Sequence, residues 1–385
     1  MLEYLQQIEG GSHMDFNLSI PAKVRSGAGV VEKNTALFAS LGKRCLIVSG
    51  GKSAVLSGAL ADVTAALKKE NIAFTVFDRI GPNPLLSACH AAGALARESD
   101  AEFLIGIGGG SALDATKAAA VFAANPDFSP TDIYTKERKS VLPFLLIGTT
   151  AGTGSEVGKV SVLTNDETGR KKSISGDDLY PVLTFADPRY TASMPFSVTV
   201  STALDALSHA SEGYCSPKCS DIPSLFAERA VAMIWDGLTK LQKTKALPDE
   251  TGREQLYYGS LYAGITLAYC GTAFPHPMGY VLTENYGTPH GFACAAFLPE
   301  FFERAANYTP ERCARLLACM GTDLDGFAAT VRALTDLGDI RMTEEEIAAY
   351  CTRWDTALPN NFKFSPGGFT KDEAQQMLLE KFLTK

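Results

Sequence analysis

The sequence predicts an α/β fold in two parts: an N-terminal doubly wound parallel sheet and a C-terminal domain built of helices alone. Between residues 44 and 150, short apolar runs alternate with amphipathic stretches, the pattern of successive βαβ units. From about Pro195 those runs stop and a helical period takes over. The third observation is bulk: 385 residues, 46% hydrophobic and 20% charged, are enough for two ordinary cores.

Taken in order, "RCLIVSG" (44–50) is a strand ending in Gly, and "GALADVTAALKKEN" (58–71) has helical spacing. "AFTVFD" (73–78) is the next strand, "SACHAAGALARESD" (87–100) a helix, and "EFLIGIGGG" (102–110) a strand again. "SALDATKAAAVFAAN" (111–125) is a helix and "VLPFLLIGTT" (141–150) continues the sheet. Beyond "DPRYTASMP" (187–195), the segments "VTVSTALDALSHASEGYC", "IPSLFAERAVAMIWDGLTKLQ", "GREQLYYGSLYAGITLAYCG" and "DEAQQMLLEKFL" all read as helices. The expected division is a tag over 1–13, an α/β domain over 14–190 and a helical domain over 191–385. "GGSHM" reads as the remnant of an expression tag, with Met14 as the native start.

Composition narrows the function. A net charge of −8 argues against a nucleic-acid partner, and no apolar run is long enough for a membrane span. No secretory pattern follows Met14, and nine irregularly spaced cysteines fit reduced thiols in the cytoplasm. Cys215 and Cys219 have no second Cys/His pair to complete a zinc knuckle.

Two loops point to a nucleotide. In "LIGIGGGSALDATKA", Gly108, Gly109 and Gly110 let the backbone approach a ligand. Ser111 and the N-terminus of the following helix offer N–H donors to a pyrophosphate. Without a ligand the same residues make a tight turn. "TTAGTGSEV" adds Thr149, Thr150 and Thr153 at the end of another strand, where small and hydroxyl side chains suit close packing on a cofactor.

The histidines point to a metal. The chain has five; His13 falls in the tag, leaving His90, His209, His276 and His290. Asp205 and His209 stand four apart and share a helix face. His276 and His290 lie fourteen residues apart, each beside Pro or Gly. One carboxylate and three imidazoles suit a divalent transition ion, although an isolated D-x-x-x-H is more often a solvated pair.

These stretches, in this order, resemble the iron-containing (group III) alcohol dehydrogenases: "GGGSALDATKA", "TTAGTGSEV", "DPRYTASMP", "STALDALSHASEGY" and "PHGFACAAFLP". "DIYTKERKSVLPFLLIGTTAGTGSEV" resembles the 1,3-propanediol dehydrogenase-like branch. The resemblance runs from about Ile20 to the C-terminus. It implies a dehydroquinate synthase-like architecture, a deep cleft between the two domains, and Asp205, His209, His276 and His290 as ligands of Fe2+, with Zn2+ possible. It implies hydride transfer between a nicotinamide and a small alcohol or aldehyde, and a homo-oligomer. A lyase related to dehydroquinate synthase and a non-catalytic binding protein stand as alternatives. Relatives often carry a further histidine four residues after the third ligand; here that residue is Tyr280, taken as a catalytic-site residue.

The cofactor is expected to be NADP(H) rather than NAD(H). NAD-preferring relatives carry an Asp after the strand matching "RCLIVSG", whereas this chain runs "SGGKSAV", with Gly51 and Lys52 where the carboxylate would stand. Asp114 and Lys172 complete the expected cofactor contacts.

Overall fold

The computed structural model describes residues 18–384, so the tag over 1–13 lies outside the described residues. Six parallel strands form one sheet in the order β1-β8-β5-β4-β2-β3. They are β1 (Lys23–Ser26), β2 (Arg44–Ser49), β3 (Ala73–Phe77), β4 (Phe103–Gly108), β5 (Phe144–Gly148) and β8 (Leu183–Ala186). β4 and β5 are buried at every residue, as expected of parallel strands covered on both faces. The strand period of two divides their side chains between two cores. Leu46, Val48, Leu104 and Leu146 face the layer of helices α2 (Leu86–Glu98) and α3 (Gly110–Ala124). Cys45, Ile47, Ile105 and Ile147 face the layer that holds α1 (Ala59–Lys69).

The chain leaves β2 for β3 on one side and returns to β4 on the other. That reversal is the switch point where open parallel sheets bind ligands, at the carboxyl ends of the strands. There the loops after β2, β4 and β5 lie side by side. A Cβ on Gly108 would come within 3.7 Å of Ser53 Oγ and 3.9 Å of Gly50 N. On Gly110 it would meet the Thr153 side chain at 2.4 Å, so only glycine lets the two loops close on each other.

Two features of this half are absent from the sequence reading. β1 and β8 extend the sheet beyond β5, and an antiparallel hairpin, β6 (Val160–Thr164) and β7 (Lys171–Ser175), stands apart from it. The hairpin is tied to the helical half by Glu284, which accepts from the Lys171 backbone N–H (2.9 Å) and from Arg353 (2.8 Å).

The helical half begins after a 3-10 turn (Pro188–Thr191) capped by Asp187. Its centre is α4 (Phe196–Cys215), buried almost continuously from Thr199 onward. α5 (Asp221–Thr244) and α6 (Glu250–Cys270) pack along it. α7 (Pro275–Tyr286) and the short α8 (His290–Ala295) close over its middle.

Candidate metal centre and cofactor cleft

α4 presents Asp205, His209 and Glu212 at i, i+4 and i+7, one stripe of a helix. α7 presents His276 in its first turn and Tyr280 one turn later; α8 starts on His290. The approach of α8 to α4 depends on Gly291, because a Cβ there would sit 1.8 Å from the Ser201 carbonyl oxygen.

The four residues expected from the sequence converge. Asp205 Oδ1 lies 3.7 Å from His209 Nε2, 3.9 Å from His276 Nε2 and 3.8 Å from His290 Nε2. Ligands at about 2.0–2.2 Å from one ion stand roughly 3.4 Å apart in a tetrahedral shell, so a small contraction would bring these atoms into contact with a cation. Asp205 Oδ1 and His276 Nε2 are buried and close no hydrogen bond among the described residues. His209 Nδ1 likewise closes no well-formed bond, although the Gly152 backbone lies beside the ring. Orphaned buried polar atoms are costly unless something satisfies them, and a cation would do so for Asp205 Oδ1 and His276 Nε2.

The electrostatics suit the same occupant. Burial pushes the His209 pKa down to about 4 and that of His290 well below the usual imidazole range, so both are neutral donors near pH 7. Burial would lower His276 too, but the Glu212 carboxylate outweighs it and the net shift is upward.

Glu212 was not anticipated from the sequence. Its Oε1 lies 2.8 Å from His276 Nδ1, and its other oxygen accepts from the Ala273 backbone N–H at 2.7 Å. This holds the proton on Nδ1 and aims Nε2 at Asp205, the carboxylate–histidine arrangement that orients metal ligands. The legible signal was Glu212 in the same stripe as Asp205 and His209. Glu212→Gln is expected to weaken zinc binding by about 10–100-fold without unfolding the protein. Competition against a chelator measures it, and an unchanged affinity would remove Glu212 from this role.

Tyr280 stacks on His290, ring centroids 5.5 Å apart, with Lys171 Nζ 5.3 Å from its own centroid. Burial raises the phenol's pKa, so it is a protonated wall of the site and a reluctant acid.

On the cofactor side, Gly108 ends β4, Gly109 caps α3, and Gly110 and Ser111 begin it; Ser111 Oγ accepts from the Asn83 backbone N–H. Thr149 N–H donates to the Gly108 carbonyl at 2.9 Å, and Thr150 packs on Gly109. Gly51 and Lys52 are exposed after β2. Asp114 and Lys172 both make contacts within the protein. Both Asp114 oxygens are engaged within the protein, by Ser155 Oγ (2.6 Å) and Val162 N–H (2.8 Å). Asp114 therefore ties α3 to the second loop and to β6. Lys172 Nζ lies 4.7 Å from the Tyr134 ring centroid. Strand alternation puts its neighbour Lys171 toward Tyr280 instead.

A nucleotide-type parallel sheet beside a buried Asp/His cluster fits a two-domain enzyme that pairs a nucleotide with a metal. The comparisons with known proteins agree. Residues 21–188 match the iron-containing alcohol dehydrogenase family, and residues 199–356 match that family's C-terminal domain. Long-chain-alcohol dehydrogenase 1 of Geobacillus thermodenitrificans is 31% identical over 368 residues, covering 92% of this chain and 89% of its own. An iron-containing alcohol dehydrogenase from Thermotoga maritima superposes with a TM-score of 0.86 at 33% identity, over 95% of this chain and 99% of that one. Sulfoacetaldehyde reductase from Bifidobacterium kashiwanohense, solved with NAD+, has a TM-score of 0.84 at 30% identity, over 95% and 98%. The chain belongs to the iron-containing alcohol dehydrogenase family, and it is a nicotinamide-linked enzyme of the alcohol dehydrogenase and aldehyde reductase type. The lyase and binding-protein alternatives fall with that finding.

Proposed function

We propose that Asp205, His209, His276 and His290 hold a divalent ion, Fe2+ or Zn2+, at which a small primary alcohol or aldehyde is oxidised or reduced with NADP(H). The observation that carries the reading is the meeting of three imidazole Nε2 atoms around one partnerless carboxylate oxygen. Bound there, the ion would polarise the substrate oxygen and the nicotinamide would give or take the hydride. The protein's own part is positional. Asp205 supplies the anionic donor, His209 and His290 supply donors kept neutral by burial, and Glu212 fixes the tautomer of His276. The start of α3 and Gly108–Gly110 receive the pyrophosphate with N–H groups and the positive end of the helix. Lys171, in place of Lys172, faces the cleft between the two halves, where burial lowers its pKa.

The cofactor preference rests on the end of β2. Lys52 and Ser53 follow Gly51, and Arg79 bridges Gly50 through its backbone while its guanidinium rests over Phe77 at 4.7 Å. These groups suit a 2′-phosphate. Asp78, whose carbonyl accepts from the Gly51 N–H, is the carboxylate that competes with them. The stretch 132–157 supports the 1,3-propanediol dehydrogenase-like branch, so small diols head the substrate panel. We divide the chain at residues 190 and 191, in the turn after β8. Nine cysteines without a disulfide support a cytoplasmic setting, and a homo-oligomer completes the reading. Among the described residues no helix is long and apolar enough to cross a membrane.

The test is nicotinamide absorbance with a panel of short aldehydes and diols, run beside metal analysis of the same protein. Hydride transfer that tracks metal content supports the reading; full activity in metal-free protein overturns it. Tyr280→Phe is expected to lower kcat by less than about tenfold, below the ~10²–10⁴-fold of a positioned proton donor, because a buried phenol of raised pKa gives up its proton reluctantly. A pH–rate profile that loses a limb in Tyr280→Phe would instead make it the relay.

A further inference from the structure

We propose that Cys219 and Cys270 form a redox-modification site, at which a hydroperoxide joins the two sulfurs in a reversible disulfide that staples the turn after α4 to the end of α6. The pair needs neither the metal nor the cofactor, so it stands apart from the reading above.

The backbone brings the two residues together. Cys270 ends α6, and Cys219 lies in the turn between α4 and α5. That turn folds back on itself, the Cys219 N–H donating to the Ser216 carbonyl at 3.0 Å. Ser216 Oγ donates in its turn to the Cys270 carbonyl at 3.0 Å. The Cys270 Cβ faces the last turn of α4, 3.4 Å from where a Cβ on Gly213 would stand. The side chains complete the approach, because the two thiols share a hydrogen bond in which Cys270 donates to Cys219. The thiol proton of Cys219 is directed at the Ser220 carbonyl oxygen, 3.7 Å from Sγ.

The surroundings make Cys219 the reacting thiol. The Arg312 guanidinium holds the turn by the carbonyls of Tyr214, Ser216 and Cys219. Lys218 stands next to Cys219, its Nζ 3.9 Å from the Phe364 ring centroid. The bond from Cys270, aided by Arg312, holds the Cys219 pKa down against burial, and the same bond raises that of Cys270. A thiolate among cations is the reactive form of cysteine. Cys219 is 5% exposed beneath the exposed residues Pro217 and Lys218, so a small opening of the turn admits an oxidant. Cys215 and Cys313 also face each other, but each thiol is engaged with an oxygen, Cys215 with Thr309 and Cys313 with the Phe302 carbonyl at 3.6 Å.

The chemistry takes two steps. The Cys219 thiolate attacks the hydroperoxide, a sulfur–oxygen bond forms, the O–O bond breaks, and the departing oxygen takes up a proton and leaves as alcohol or water. Cys270 sulfur then attacks the sulfenic acid on Cys219. The S–S bond forms as the S–O bond breaks, and the leaving hydroxide takes the Cys270 proton and departs as water. Two electrons pass from the sulfurs to the peroxide, and a dithiol returns them. The new bond closes the chain from 219 to 270 into a ring, which restricts the unfolded state and stabilises the folded one.

The experiment exposes the reduced full-length protein to hydrogen peroxide in small molar excess, then counts thiols and maps peptides without reduction. The nine free thiols of the wild type should fall to seven, two being consumed, with one new linked peptide pair joining Cys219 to Cys270. Dithiothreitol should restore all nine. In Cys270→Ser the reaction should stop at a sulfenic acid on Cys219, trapped by dimedone; in Cys219→Ser both the linked pair and that adduct should be missing. Oxidation should raise the Tm of the wild type and of neither variant. A wild type that keeps every thiol overturns the site, as does a linkage through any other pair, Cys215 and Cys313 first among them. A dimedone adduct on Cys270 rather than Cys219 overturns the order of the steps, and a lower Tm in the linked protein overturns the staple.

Discussion

Asp205→Ala protein is expected to fold, to retain little metal and to lose nearly all hydride transfer. Asp205 is the hub of the centre, since one of its oxygens faces all three imidazoles at 3.7–3.9 Å. Removing it leaves neutral donors around a dication in a buried site, which the low local dielectric penalises. Altering an outer partner already costs about 10–100-fold in metal affinity, so the loss here should be larger. An ion contributes several kcal/mol of transition-state stabilisation, and each ~1.4 kcal/mol is tenfold in rate. A fall in kcat/KM of about 10³-fold or more follows. The fold should survive, because Ala is the best helix former and the substitution removes a buried, partnerless carboxylate oxygen. The metal-free variant should therefore melt no lower than the metal-free wild type. His290→Ala should behave alike in metal content and rate. Either variant holding stoichiometric metal at full turnover would mean that the ion, if any, is held elsewhere.

The second large effect is expected at Gly51: wild-type protein should favour NADPH over NADH in kcat/KM, and Gly51→Asp should reverse that. A new carboxylate beside a 2′-phosphate costs on the order of 1–4 kcal/mol at partly screened distances, enough to invert a tenfold preference. The structure leaves room for the side chain, since a Cβ at Gly51 meets nothing within 4 Å. It also sets a cost, because φ is +27° there. Asp tolerates the left-handed region better than most residues, so a modest stability loss should accompany the switch. A wild type that works tenfold better with NADH would sink the idea. Asp78 would then be the group reading the ribose hydroxyl, and Asp78→Asn should weaken NADH selectively.

Much of this protein was legible along the chain. Strands such as "FLIGIG" and "FLLIG" declare themselves because a parallel strand covered on both faces must be apolar throughout. Asp205 and His209 could be paired because an α-helix repeats every 3.6 residues, so four-apart side chains share a face whatever surrounds them. His276 and His290 could be added because a histidine-poor chain placed them in Pro- and Gly-marked settings. Periodicity is local, and what it fixes can be read locally.

Other features depended on partners remote in sequence. β1, "KVRS", is exposed at all four residues and has no apolar signature. It is a strand because it pairs with β8 more than 150 residues later, Lys23 opposite Leu183. Lys171 rather than Lys172 faces the cleft because the hairpin's register turns alternate residues to opposite sides, and that register is set by pairing with β6. Asp114 meets Ser155 and Val162, one at each carboxylate oxygen, only because folding brings the second loop and β6 to α3. Glu212 met the His276 ring only when α7 closed over α4. A helix face can be read from spacing, but what lies opposite it is decided by burial and packing across the whole chain.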